Sequence, residues 1–407
     1  MKNRIILTAV VFGIFQFVNG QVTSEWRNLG RTGVYLETGL LKKWPEKGPQ
    51  LIMSATGLPK GNSSVAIGRD KLYLTGTTGE NEVLIALDMN GNKLWETTFG
   101  RAWTESFPES RCTPTVDGDR VYVTSGVLDA ACIDAESGEI KWSVKVNEKF
   151  EGAFGEWGKA ESPLIIGDLI YYTPAGNRTT MVALHKMTGE TVWESESLKD
   201  ISSYVSPLLV NHEGLQFITG VTERYIFAIA PADGRILWKF DYGSSLHMCT
   251  PLYAEGCLFV STGYDHGNVM LKLSSDGTPP ALLWKESTLD THHGGYVRVD
   301  NYIYGSNWLS NSKGRWACLE WNTGKLMYET DWKNKGPIIT AEGMLYCYEE
   351  KSGYIALVRP TPEKFDIVSS FKVPLGSGPN WSHPVIHNKI LYIRHGDALM
   401  AYDIAAD

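Results

Sequence analysis

A stretch that closes on tryptophan recurs along this chain at a nearly constant interval, and a fixed period constrains architecture more than any single motif does. ALDMNGNKLW, CIDAESGEIKW, ALHKMTGETVW, AIAPADGRILW and KLSSDGTPPALLW end at Trp95, Trp142, Trp193, Trp238 and Trp284, at successive intervals of 47, 51, 45 and 46 residues. CLEWNTGKLMY places Tyr328, and DIVSSF places Phe371, at the later equivalents. A second marker runs in phase. TPTVDGDRVYVTS, SPLIIGDLIYYT and their counterparts each give a small or polar residue, a Pro, an apolar run, a turn and a second alternating run. Pro suits the first residue of a strand, where its missing N–H matters least. Each unit thus supplies four short strands, A to D, in about 45 residues, which is the signature of a propeller blade. The 3.6-residue periodicity of a helical solenoid is absent.

Counting A strands from Asn62, Arg111, Glu161, Val205, Cys249, Gly294, Gly336 and His383 gives eight units. Seven is the alternative if the irregular unit 336–373 is not a blade. The last unit stops at ALMAYDIAAD without a D strand, while PQLIMS near the amino terminus aligns with PALLWK and puts Met53 at the tryptophan position. The expected fold is therefore an all-β, eight-bladed propeller of four-stranded blades, closed by the N-terminal strand 49–54 in the last blade. Such closure removes two open strand edges. Residues 21–407 form one domain. Residues 1–20, with Lys2 and Arg4 ahead of the apolar run 5–18, read as a signal peptide cleaved near Gly20, so the protein is expected to be exported, periplasmic or secreted. No later stretch is apolar enough to span a bilayer, and no transmembrane anchor is expected.

Lys and Arg number 38 against 46 Asp and Glu, a net charge of −8 that gives no electrostatic reason to bind nucleic acid. The six cysteines contain no C-x-x-C and no adjacent pair, which removes zinc ribbons and thioredoxin-like sites. They read as small buried apolar residues. A monomer is expected.

The A-L-D strand followed by T-G-x-x-x-W resembles the tryptophan-docking repeat of pyrroloquinoline quinone (PQQ) propellers. WRNLGRTGVYLETGLLKKWPEKGPQL, WGKAESPLIIGDLIYYTPAG and HHGGYVRVDNYIYGSNW are similar to the secreted PQQ-like propellers of Bacteroidetes and Planctomycetes. The propeller lipoprotein of the outer-membrane β-barrel assembly machinery is a more distant likeness. The resemblance implies that the repeat tryptophans pack between blades. It also implies quinoprotein dehydrogenase activity only where the cofactor site is kept: a disulfide of neighbouring cysteines and a Ca²⁺ held by Glu, Asn and Asp. The cysteines here are all separated, so neither PQQ nor Ca²⁺ is expected.

Propeller geometry delivers the end of every D-to-A connection to the channel rim on one face. The residues there are Arg111, Glu161, Tyr204, His247, His292, His293, Trp381 and His383, and the two long connections 96–110 and 143–160 add Trp103 and Trp157. These residues predict a polar, His-rich, aromatic-walled cup for a small polar ligand or a glycan, or else a protein partner at that face. Arg111 and Glu161, from adjacent blades, are positioned to pair. His293, Glu161 and Tyr204 are the candidates for acid–base chemistry. Adjacent His292 and His293 on a strand would point to opposite faces, so no metal site is expected. A binding or scaffold module is the first reading; an extracytoplasmic enzyme acting on a glycan or sugar derivative is the alternative, and a quinoprotein dehydrogenase the third.

Overall fold

The computed structural model describes residues 23–244 and 246–406; the leader assigned to residues 1–20 lies outside them. Eight antiparallel sheets follow one another around a ring. Blade 1 comprises Ala66–Gly68, Lys71–Thr78, Asn81–Asp88 and Lys93–Arg101, and blades 2 to 7 repeat the order inner to outer as far as Asp366–Lys372. The irregular unit 336–373 is a complete blade. Blade 8 takes Val385–His387, Ile390–His395 and Ala398–Asp403 from the carboxyl end and Gln50–Thr56 from the amino end, the latter pairing antiparallel with Ala398–Asp403.

The tryptophan repeat has a local cause. In every blade the outer strand carries a bulge, and the residue just past it lies opposite the C strand: Trp95 opposite Ala86, Trp142 opposite Cys132, Trp193 opposite Ala183. The bulge turns that side chain onto an aromatic of its own B strand, as in the pairs Trp142–Tyr122 and Trp193–Tyr171. In three blades its Nε1 then donates to the next blade, Trp142 to the Lys186 carbonyl at 2.8 Å, Trp193 to that of Pro231 at 3.0 Å and Trp284 to that of Trp321 at 3.2 Å. The glycine of the neighbouring T-G turn completes the dock. Gly189 has φ +73°, and a Cβ there would stand 2.9 Å from the Trp142 ring.

Met53 occupies this position opposite Ala401 in the closing blade. Phe371 does not occupy it in blade 7. The bulge there falls between Leu357 and Val358, so Ser369 holds the place and Phe371 lies two residues beyond. A serine leaves a gap, and Trp44 from the N-terminal segment fills it. Its backbone N–H donates to Ser369 Oγ at 3.0 Å, and its buried indole packs on Phe371 and Tyr346.

In blades 1 to 4 the residue just before the inner-strand Pro, or before Val65 in blade 1, joins neighbouring blades at the inner rim. Ser64 N–H donates to Thr113 Oγ1, Thr113 N–H to Ser162 Oγ and Ser162 N–H to Ser206 Oγ, all at 2.9–3.0 Å. Hydrophobic clusters lie between successive blades rather than in one central core; one joins Trp238 and Ile226 of blade 4 to Leu258 and Val269 of blade 5.

The axis itself is crossed by the N-terminal segment. Thr23–Ser24 pairs with Thr115–Asp117 of blade 2, and Val34–Tyr35 runs parallel to Ile338–Ala341 of blade 7. Between them Arg31 donates to the carbonyls of Ser162 (3.0 Å) and Pro163 (2.7 Å) in blade 3. Arg27 donates to those of Ile338 (3.2 Å) and Tyr296 (2.5 Å) in blades 7 and 6. Both arginines are buried, which keeps the segment fixed as a floor across the channel.

Candidate functional site

Strands alternate in direction, so D-to-A and B-to-C connections emerge on one face of the ring. There a cavity of about 370 Å³ opens above the N-terminal floor, with Trp26 among its lining residues. Arg111, Trp157 and Tyr204 line it, as do His292, His293, Trp381 and His383. Glu161, His247 and Trp103 do not.

Each exception has a physical reason. Glu161 turns back into its own blade, where it accepts from the Thr173 N–H at 3.0 Å and pairs with Lys159 Nζ at 3.2 Å, fully buried. It therefore makes no ion pair with Arg111. His247 is buried, donates Nε2–H to the Tyr242 carbonyl at 2.9 Å, and is pushed down to about 4 by burial, so it is neutral and structural. Trp103 packs edge-on against Phe154 and covers Gly158, behind the wall.

Arg111 spends its guanidinium on loop backbone. It donates to the carbonyls of Trp157, Ser106 (3.0 Å) and Phe107 (2.6 Å), lashing the two long connections together. Tyr204 accepts from the Trp157 N–H at 3.1 Å, and burial pushes its phenol up to about 12, so it stays protonated. These bonds hold Trp157 and Phe107 upright.

From there ring contacts run around the mouth without a break. Phe107 meets Trp157 and Trp381, Trp381 meets His293, His293 lies 4.0 Å from His292, and His292 meets Tyr264, which stacks on Trp308 at 4.5 Å. The cup is thus an aromatic arc with a few polar groups rather than a predominantly polar basin. His292 and His293 both face it, contrary to the expectation from strand geometry, because strand pairing in this blade begins only at Tyr296 and a loop sets their directions.

One side of the arc carries a polar cluster. Glu350 Oε2 stands 3.0 Å from His293 Nε2 and accepts from Trp381 Nε1 at 3.2 Å, while its Oε1 meets Lys335 Nζ at 2.9 Å. Burial alone would raise the Glu350 carboxyl; the hydrogen bond and charge of His293 and the Lys335 ammonium outweigh it and hold the group below the ordinary glutamate value. Burial, then His293 and Lys335, push His292 well below its usual value, so it is neutral. Beneath them His383 Nδ1 accepts from Arg27 at 2.8 Å and its Nε2 reaches the His293 carbonyl at 3.1 Å, which fixes the neutral Nε2–H tautomer. Glu350, Tyr264 and Asn311 come from B-to-C connections and Trp26 from the floor, and sequence reasoning restricted to D-to-A connections missed them. The alternation of strands was the signal for the first three; nothing in the repeat announces Trp26.

The donor set does not fit the Ca²⁺ and quinone pair of PQQ dehydrogenases. Ca²⁺ takes about six to eight oxygen ligands. The cup lining holds one carboxylate, Glu350, already shared among Lys335, Trp381 and His293. All six cysteines are free and buried.

Fold and site together define a PQQ-like β-propeller with a closed axis and a one-sided cup. The family model described as outer membrane protein assembly factor BamB matches residues 79–307, more than half of the chain, and the chain belongs to that family. It is 23% identical over 268 residues to the outer membrane protein assembly factor BamB of Moranella endobia, covering 61% of this chain and 64% of that protein. An uncharacterized protein of Rickettsia conorii is 22% identical over 233 residues, 52% of this chain and 49% of its own length. The chain therefore spans from about half to under two thirds of these curated relatives. Among solved structures, BamB from Moraxella catarrhalis superposes with a TM-score of 0.62 at 14% identity, covering 87% of this chain and 99% of that one. The quinohemoprotein alcohol dehydrogenase ADHIIG of Pseudomonas putida gives 0.65 at 12%, covering 95% and 81%. Both likenesses establish the fold alone. Among the described residues no helix is long and apolar enough to cross a membrane.

Proposed function

We propose that this protein is an exported binding module whose aromatic cup takes a small ligand with polar edges and apolar ring faces, a glycan or sugar derivative. The observation that carries the reading is the unbroken arc of rings from Trp157 to Trp308 above a closed floor. Aromatic faces bury the C–H face of a sugar, and the few polar groups at one side fix its orientation. Because Arg111 and Tyr204 already hold the wall, little side-chain freedom is lost on binding. The leader at residues 1–20 supports export. A protein partner at the same face is the second reading, favoured by Phe107, half-exposed at the rim, and by the assembly-factor name of the relatives. The His293–Glu350 contact favours a third, an acid–base enzyme on the same ligand class, with Glu350 in the partner role assigned from sequence to Glu161.

The test is a thermal-shift and calorimetry screen of the full chain against an oligosaccharide panel, repeated with Trp381→Ala. A true ligand at 100 times its Kd stabilises by about 2.7 kcal/mol. The reading expects that stabilisation from at least one sugar and its loss in Trp381→Ala without a change in the melting temperature of the free protein. A panel with no binder, or equal binding by the variant, refutes the sugar-in-the-cup reading.

A further inference from the structure

His292, His293 and Glu350 lie together at the side of the cup, one ring nitrogen of each histidine and one carboxylate oxygen all within 4.8 Å of one another. Among the described residues this is the one trio of His, Cys, Asp or Glu that converges so closely. The three come from two connections of different blades, so the convergence is made by the tertiary fold. The geometry points to a divalent transition-metal site here, with Zn²⁺ as the ion that the donor set suits best. The inference deepens the binding reading above and rests on the cup being the functional face.

Four observations carry it. Two imidazoles and one carboxylate are the ligand set of open zinc sites, which keep a position for water or substrate; here that position faces the 370 Å³ cavity. His292 has a buried Nδ1 with no hydrogen-bond partner, and its Nε2 makes only a 3.4 Å contact with the Tyr264 hydroxyl. An orphaned buried imidazole nitrogen loses the hydration it had in water; a metal bond would repair that. The supporting groups are also in place. Tyr264 can hold the other nitrogen of His292, and Lys335 and Trp381 orient Glu350, as outer partners of metal ligands do. Finally, His293 and Glu350 already meet at 3.0 Å. An ion with bonds of about 2.0–2.2 Å fits this trio after a small separation of that pair and an inward shift of the widest contact. Ligation takes the lone pair of His293 Nε2, and a proton on that nitrogen moves to Nδ1 of the same ring, or to solvent if Nδ1 already carries one. The ion would anchor a hydroxyl or carboxylate of the cup's ligand, or polarise a water beside it.

The test uses the full chain stripped with a chelator. Calorimetric titration with ZnCl₂ alone should show one equivalent bound, and Co²⁺ substitution should give visible ligand-field bands with X-ray absorption showing two imidazole scatterers. His292→Ala and His293→Ala should each weaken Zn²⁺ by more than the roughly 10–100-fold that loss of an outer partner costs, and Tyr264→Phe by about that smaller amount. Absence of stoichiometric Zn²⁺ or Co²⁺ binding, or histidine variants that bind Zn²⁺ as tightly as the unaltered protein, overturns the proposal. The absorption spectra of the unaltered protein decide the matter should a variant fail to fold. If sugars still bind the cup of a protein that ignores zinc, only this inference fails; if neither binds, the binding reading fails with it.

Discussion

Glu82 opens the C strand of blade 1, and its carboxyl is buried where the first long connection meets blade 2. It accepts from the Ser110 hydroxyl and, at 2.6 Å, from the Gly126 N–H, which pins the base of the loop carrying Phe107. Burial raises it from 4.5 to about 7, the two hydrogen bonds and the charge of Arg111 only partly opposing that rise. Holding it ionised in the fold therefore costs about 3 kcal/mol, at 1.36 kcal/mol per pH unit. The sign follows from linkage: between pH 4.5 and about 7 the folded state binds the extra proton, so this contribution to stability is complete below pH 4.5, declines as pH rises through about 7, and is flat above. Glu82→Gln keeps an acceptor for Gly126 and a polar partner for Ser110 while remaining neutral. Urea unfolding of both proteins from about pH 4 to about pH 9 should give equal stability at the acid end and a growing advantage for the variant, approaching about 3 kcal/mol above pH 7. A difference that does not change with pH would refute the reasoning, because it would mean that the site stabilises the carboxylate as well as the acid.

His247 should show the opposite dependence. Its neutral ring, depressed from 6.5 to about 4, contributes stability present above pH 6.5 and lost as pH falls through about 4, so His247→Gln should flatten the acid limb of a melting profile. Trp193→Ala should destabilise by roughly 3–5 kcal/mol in urea unfolding, as deletion of a core aromatic, and leave cup affinity unchanged. Gly189→Ala should cost at least roughly 1–3 kcal/mol from its left-handed backbone alone, with the Trp142 contact adding to it. Removing residues 23–35 while keeping strand 50–56 should leave a folded ring with a lower melting temperature and a leaking cup. Removal through residue 55 should instead give aggregation in light scattering, since strand Ala398–Asp403 of blade 8 then becomes an unpaired outer edge.

The fold was legible because each blade repeats one solution to the same problem. A bulge, a tryptophan just past it, a turn glycine in the next blade and a hydroxyl before the A-strand proline all recur at fixed offsets, so strand count, order and the mixed closing blade followed from pattern. Phe371 misled because the bulge in blade 7 puts the docking position at Ser369, two residues before the aromatic; alignment on aromaticity alone cannot see a register shift. The site was legible in part. The D-to-A rule delivered Arg111, Tyr204, His292, His293, Trp381 and His383 to one cavity, yet it placed residues and not side-chain directions. Glu161 and His247 sit at the right addresses and turn inward, because each finds buried backbone partners within its own blade or connection.

The deepest omission was the floor, and it changes what the cup can be. An open channel would flood the base of the cup with solvent and leave His383 wet; instead Arg27 and Arg31 donate their guanidinium N–H groups to inner-strand carbonyls of three blades. Among the described residues Arg27 has no carboxylate partner, so its charge is balanced by carbonyl dipoles and by the imidazole of His383, an arrangement that holds only while the ring is closed around it. Substituting Arg27 by Met keeps the apolar stem but frees the carbonyls of Ile338 and Tyr296 and the Nδ1 of His383, at about 1–3 kcal/mol for each buried group left unpaired. If the floor positions the cup, His383 loses its fixed tautomer, the His293 carbonyl loses its donor, and ligand affinity falls along with stability. A variant that melts lower but binds as before would show the floor to be a structural closure alone, with the cup held by its rim loops.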